Sequence, residues 1–233
     1  RIFVAIDAQL VGSGFNFKVG QTCHLRKTNQ KWMQVDSSDD GLLAKRHGLQ
    51  GPIDDAFMDS FIMVRPNGNP QNKAVGEWTH SEMTNAITQW RLQFRGEPRV
   101  KDDTAITDAD IASNNLVLWG DPDSNRLLAK IAAKLPIHWN RTSVRFGEKT
   151  FPADQFVPVM IYPNPLNPKR YVVLNSGFTF SEVAHLSNAL QTPKLPDYAV
   201  LDISTPRSAR PMSGVVDAGF FDEHWQLPAS QEK

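Results

Sequence analysis

Residues 1–7 place Ile2, Val4 and Ile6 on one side of an extended chain, a period of two that predicts a strand with one buried face. A less regular run follows at 22–27. A third covers 31–35 and carries Trp32 and Met33, with Gly12, Gly14 and Gly20 punctuating the stretch. These runs read as the last strands of a short β-rich segment that begins upstream, so the chain is expected to be a piece of a longer protein. The polar run Ser37-Ser38-Asp39-Asp40-Gly41 breaks the pattern, and residues 45–51 read as a linker. The expected organisation is therefore a β-rich segment over 1–44 and a Rossmann-like α/β domain over 45–233.

Beyond the break the pattern alternates between apolar runs and helical stripes. Residues 60–65 (SFIMVR) predict a buried strand stopped by Pro66-Asn67-Gly68. Residues 76–95 predict a helix, because Met83, Ile87, Trp90 and Phe94 recur at helical spacing, with Gly96 and Pro98 ending it. Residues 107–113 predict a short helix with Thr107 at the N-cap and Asp110 at its third position. Residues 116–119 (LVLW) predict another buried strand. Residues 124–135 predict a helix with Leu127, Leu128, Ile131 and Leu135 inward, capped by Asp123 or Ser124.

A hairpin is expected at 143–151 around Gly147. Strands follow at 156–162, where Pro158 suits an edge or a strand start, and at 171–174 and 198–203. A helix is expected over 181–190. Apolar strands without alternation, separated by amphipathic helices, predict a mostly parallel sheet buried on both faces. The expected fold class is thus α/β: a three-layer αβα sandwich with a mostly parallel sheet, preceded by the short β-rich segment.

Composition narrows the function. The 233 residues carry 25 Lys+Arg and 25 Asp+Glu, and a net charge of zero lacks the basic field of a nucleic-acid partner. The hydrophobic share of 40% is that of a folded chain, and no apolar run reaches 18 residues, so no membrane partner is expected. The single cysteine, Cys23, excludes an intrachain disulfide and a cysteine-based zinc site.

Candidate chemistry concentrates where apolar strands end. The loop Gly120-Asp121-Pro122-Asp123-Ser124-Asn125 joins a buried strand to a helix, and Asn175-Ser176-Gly177 follows another strand. In open α/β sheets this is where ligands bind. Asp121, Asn125, Asn175 and Ser176 therefore form a candidate crevice for a sugar or a cation. The competing reading makes Asp121 the turn residue of a helix cap. Ser176 lacks a GxSxG elbow, and His185 lies a helix away, so no catalytic residue is assigned.

Glu77/His80 and Glu182/His185 have di-iron spacing but sit on helices that alternate with strands, so they read as coincidence. Asp54, Asp55 and Asp59 could meet a divalent cation, but no EF-hand or Walker pattern surrounds them and a solvated turn or helix start is the favoured reading. Asn140-Arg141-Thr142 is a glycosylation sequon of the kind that arises by chance. Phe220, Phe221 and Trp225 read as core or interface anchors. No nucleotide fingerprint is present; neither a metal nor a cofactor is expected.

Three segments together carry a resemblance: GLQGPIDDAF at 48–57 before a strand, NLVLWGDP at 115–122 before a helix ending KLPI, and YPNPLNPKRYVVLNSG at 162–177. In this order they resemble the C-terminal region of large secreted bacterial proteins related to the prolyl oligopeptidase-like α/β-hydrolases. The resemblance spans roughly residues 45–227, and 1–36 is similar to the end of the β-rich linker before that region. It implies an exported serine hydrolase acting on ester or peptide bonds, with its Ser/His/Asp machinery upstream of this chain. On that basis the chain is a non-catalytic accessory domain, secreted or periplasmic, whose partner is the upstream α/β-hydrolase module. The alternative is a small-ligand binding module using the strand-end crevice for a small molecule or carbohydrate.

Overall fold

The computed structural model describes residues 2–15, 20, 22–36, 41–179, 195–205 and 214–228. The chain divides into two units, Arg1–Leu43 and Ala44–Lys233. The first is two antiparallel hairpins: β1 (Ile2–Ile6) with β2 (Gln9–Phe15), and β3 (His24–Thr28) with β4 (Lys31–Val35). Both turn on two residues with positive φ, Asp7-Ala8 at 50° and 59° and Asn29-Gln30 at 49° and 64°. That pair of angles is what a two-residue hairpin with the native strand twist requires. Gln9 ties the hairpins together, accepting from the Trp32 amide at 3.0 Å and donating to the Gln30 carbonyl at 2.8 Å. Sequence reading missed β2, whose glycines look like punctuation.

The second unit is built on a seven-stranded sheet. Its strands are β5 (Phe61–Arg65), β6 (Val100–Asp102), β7 (Asn115–Leu118), β11 (Phe156–Asn164), β12 (Asn167–Leu174), β13 (Tyr198–Asp202) and β14 (Val215–Gly219). A separate antiparallel sheet holds β8 (Ile137–Trp139), β9 (Ser143–Phe146) and β10 (Lys149–Pro152). The α-helices among the described residues are α1 (Lys73–Phe94), α2 (Asp108–Ser113) and α3 (Arg126–Ile131). A 3-10 turn over Ile53–Phe57 precedes β5.

The large sheet runs β14-β13-β11-β12-β7-β5-β6. Only the β12-β7-β5-β6 half is parallel; β14-β13, β13-β11 and β11-β12 are antiparallel. The expected mostly parallel, Rossmann-like sheet is therefore corrected to a mixed one. The three-layer αβα sandwich is corrected as well, since the described residues are 24% helical and 36% strand. The pairings Phe61↔Asn115, Leu116↔Val172 and Tyr171↔Pro163 place Phe61 and Tyr171 on one face. That face carries α1 and the 3-10 turn: Trp90 meets Phe61 at 4.7 Å and the Asp55 carboxylate takes the Tyr171 hydroxyl.

The register Met160↔Tyr198 puts Tyr198 on the opposite face. There Phe146 of β9 stacks on Tyr198 at 5.2 Å, so strands rather than a layer of helices pack against this part of the sheet. The physical reason for the wrong expectation is burial. A strand covered on both faces loses its alternation whichever way it runs, and β11 and β12 are joined by only the two-residue turn Pro165-Leu166 rather than by a helix.

Local signals held where they were strong. Thr107 and Asp110 form the reciprocal capping box of α2. Helix α1 begins earlier than its stripe suggests and ends with Arg95 in the left-handed region. Pro158 sits inside a central strand, where the ladder to β12 begins only at Met160, so the missing N–H leaves no gap on that side. Residues 45–51 are not a free linker: the Lys45 amide donates to the Glu223 carbonyl at 2.7 Å, and Leu49 is buried. Of the tail aromatics, Phe221 and Trp225 are core residues and Phe220 is exposed. The helix expected over 181–190 lies outside the described residues.

Candidate functional site

The parallel half of the sheet sends the C-terminal ends of β5, β7 and β12 to one side, and the loops that carry the four crevice residues leave β7 and β12 there. Asp121 follows β7 and is 1% exposed. One carboxylate oxygen accepts from the Asp123 and Ser124 amides at 3.0 and 2.9 Å; the other accepts from the Gln71 amide at 2.8 Å. Its charge is spent on three backbone donors, fixing the turn to the loop after β5. Gly68 completes that junction, donating its amide to the Ser124 carbonyl at 2.8 Å.

Asn125 is fully buried and is the true N-cap of α3, in place of the Asp123 or Ser124 expected from sequence. Its side-chain oxygen accepts from the Leu127 and Leu128 amides, and its amide donates to the Trp119 carbonyl at 2.9 Å. Asn125→Ala is expected to cost about 2 kcal/mol, the upper range for a cap, because a buried carbonyl is orphaned as well. Chemical denaturation of the purified chain reads this out, and a loss below about 0.5 kcal/mol would contradict the cap's role.

Asn175 adopts φ 50° beyond the end of β12. Its side chain behaves like one more strand residue toward β7, accepting from the Gly120 amide at 2.8 Å and donating to the Gly120 carbonyl at 3.0 Å. Gly120 has φ 99°, and a side chain there would run into the Ser124 hydroxyl and Pro66. Ser176 donates its hydroxyl to the neighbouring Gly177 carbonyl at 2.9 Å. Gly177 lies so close to Ala86 of α1 that any Cβ would overlap it. The four residues lie in the loops after β7 and β12, and these bonds commit their polar side chains to the protein's own backbone. His185 and Glu182 lie outside the described residues.

The aspartates before β5 do not converge. Asp54 accepts from the Thr179 amide at 2.7 Å and the Thr179 hydroxyl at 2.9 Å. Burial pushes its carboxyl up to about 6, against the lowering effect of those two bonds. Asp55 accepts the Tyr171 hydroxyl at 2.5 Å, and Tyr171 in turn accepts from the Gly51 amide at 3.1 Å. Burial, reinforced by Asp55, raises the Tyr171 hydroxyl well above the usual phenol value, so it stays a donor. Asp59 pairs with Arg170. Asp54 and Asp55 lie in the first turn of the 3-10 helix, Asp54 buried and Asp55 partly so, while Asp59 is exposed, and among the described residues no cluster of three or more potential metal ligands occurs. Glu77 pairs with Lys73 at 3.5 Å on the exposed side of α1.

Sequence reading missed the most buried ion pair among the described residues. Lys45 donates to Asp197 at 2.6 Å and to the Phe221 carbonyl at 2.8 Å, and its ammonium lies 5.1 Å from the Trp225 ring. Asp197 is raised by burial, with Lys45 and the Phe221 amide opposing. The partners are 152 residues apart, so no local signal could have joined them.

A shallow groove of about 280 Å³ lies beside the α3 loop, floored by Leu128, Leu135 and Ile137 and rimmed by Trp139, His138 and Asn140. Asn140 holds its side-chain oxygen on the Thr142 and Ser143 amides. No helix among the described residues is long and apolar enough to cross a membrane. The chain matches no protein-family model, no curated protein and no solved structure.

Proposed function

We propose that this chain is a non-catalytic accessory module of an exported serine hydrolase that acts on ester or peptide bonds. The bond-breaking groups then reside in an α/β-hydrolase module elsewhere in the same gene product, and this chain packs on that module, limits substrate access to it or stabilises it. One observation supports the reading above others: Asp121, Asn125, Asn175 and Ser176, the groups best placed for chemistry, are hydrogen-bonded to the chain's own backbone. A nucleophile must be free to attack and must face a base. A ligand site at the strand ends would likewise need polar atoms that the backbone has not taken. The motif order at residues 48–57, 115–122 and 162–177 supplies the hydrolase context.

Two measurements test this. The purified 233-residue chain is expected to turn over neither p-nitrophenyl acetate nor a peptidyl p-nitroanilide. Turnover that survives purification and vanishes in Ser176→Ala would make the chain itself the enzyme. The reading frame upstream of the Arg1 codon is expected to encode a GxSxG elbow, and an unrelated upstream sequence would remove the hydrolase context.

A further inference from the structure

The loop that leaves β12 is pinned at three points. Asn175 clamps Gly120, Gly177 presses on Ala86 of α1, and Thr179 is bound by Asp54 across 125 residues of sequence. Between the last two lies Phe178, whose ring meets Phe57 at 5.7 Å, Phe94 at 5.0 Å and Trp90 at 6.2 Å. The third pin differs from the others because it is ionisable. Asp54 is 4% exposed, and among the described residues both of its oxygens are held by Thr179, without a cation.

We propose that the Asp54–Thr179 contact is a pH-sensitive latch: a protonated Asp54 keeps the loop after β12 closed, and an ionised Asp54 favours its local opening, which lifts Phe178 from the aromatic nest. A buried carboxylate without a counter-ion is strongly disfavoured when charged. Opening returns Asp54 to water, where the charge is well solvated.

Among the described residues, the neighbouring charged groups are engaged elsewhere. On its own turn, Asp55 holds the Tyr171 hydroxyl of β12. Arg170 of β12 is turned to Asp59, and Lys45 is turned to Asp197. Arg99 donates to the Phe61 and Asn114 oxygens. The α1 residues that touch the loop, Ala86, Trp90 and Phe94, are uncharged.

The sign follows from linkage. The closed state protonates at about 6, above the ordinary value of 3.8 that the open state regains. The closed state therefore binds more protons between these values, and closure weakens as pH rises through that window. Between about pH 5 and 7.5 the open fraction should grow on the order of tenfold.

Amide hydrogen exchange over residues 176–179 of the whole chain, corrected for the intrinsic pH effect, reads that ratio. The expected result is a roughly tenfold rise in the wild type and a flat response in Asp54→Asn. Equal pH dependence in both proteins overturns the latch. A second reading needs no variant: the carbon-13 shift of the Asp54 carboxyl should titrate near pH 6, and titration at the ordinary aspartate value overturns the proposal even if Asp54→Asn fails to fold.

Discussion

Gly51→Ala is expected to destabilise the second unit by about 4 kcal/mol and to lower its melting temperature by roughly 10 °C. Gly51 has φ 74°, a conformation that costs an L-residue on the order of 1 kcal/mol. The larger part comes from what lies opposite. A Cβ at this position would overlap one Asp197 oxygen and come within 3.0 Å of its Cγ. Asp197 is fully buried, and its other oxygen is bound to Lys45 and the Phe221 amide, so it cannot swing aside without breaking a buried ion pair. Losing such a pair costs about 3 kcal/mol. Gly48 supplies the control: its φ is 75°, but nothing stands within 4 Å of a Cβ there. Gly48→Ala should therefore show only the backbone cost, about 1 kcal/mol. Equal melting temperatures for the two variants would mean that the contact with Asp197 is unimportant.

This contrast also marks the boundary of what the sequence discloses. Short-range features were legible because their physics is local. The Ile2/Val4/Ile6 alternation, the Thr107/Asp110 box and the Met83–Trp90 stripe each depend on residues within a few positions, and each appears as an element. Strand direction was not legible. The apolar runs over 156–162 and 171–174 are the same whether their strands run parallel or antiparallel, because both faces are covered. β14 went unread because Val-Val-Asp-Ala-Gly holds only two β-branched residues and no clear period.

The candidate site divides along the same line. That Asp121, Asn125, Asn175 and Ser176 lie near one another follows from strand ends and turn residues. Whether Asp121 faces a ligand or its own amides depends on loop geometry, and the Gln71 amide that it accepts is 50 residues away. The buried pairs Asp54–Thr179 and Lys45–Asp197 were invisible for a stronger reason, since nothing near either residue in sequence indicates a partner 125 or 152 positions distant. The residues read as a linker are consequently part of the core unit, fastened to the tail through Lys45.

That fastening carries the second large effect. Lys45→Met, which keeps the apolar stem and removes the charge, is expected to cost about 3 kcal/mol at pH 7, because it leaves Asp197 buried and unpaired. The Lys45 and Asp197 side chains are 19% and 1% exposed, so solvent offers the carboxylate little compensation. The loss should depend on pH. Burial already raises Asp197, and removing Lys45 takes away the strongest influence that lowers it. With the folded value higher still and the unfolded value ordinary, the folded variant binds the extra proton, so its stability rises as pH falls through the folded value. Denaturant midpoints measured from about pH 8 to pH 4.5 should show the gap to wild type narrowing on acidification. Adding Asp197→Asn should restore most of the loss at neutral pH, since the neutral amide still accepts from the Phe221 amide and removes the buried charge. A gap that stays constant with pH and is not rescued by Asp197→Asn would place the cost in the packing of Lys45 on Trp225 instead of in the ion pair.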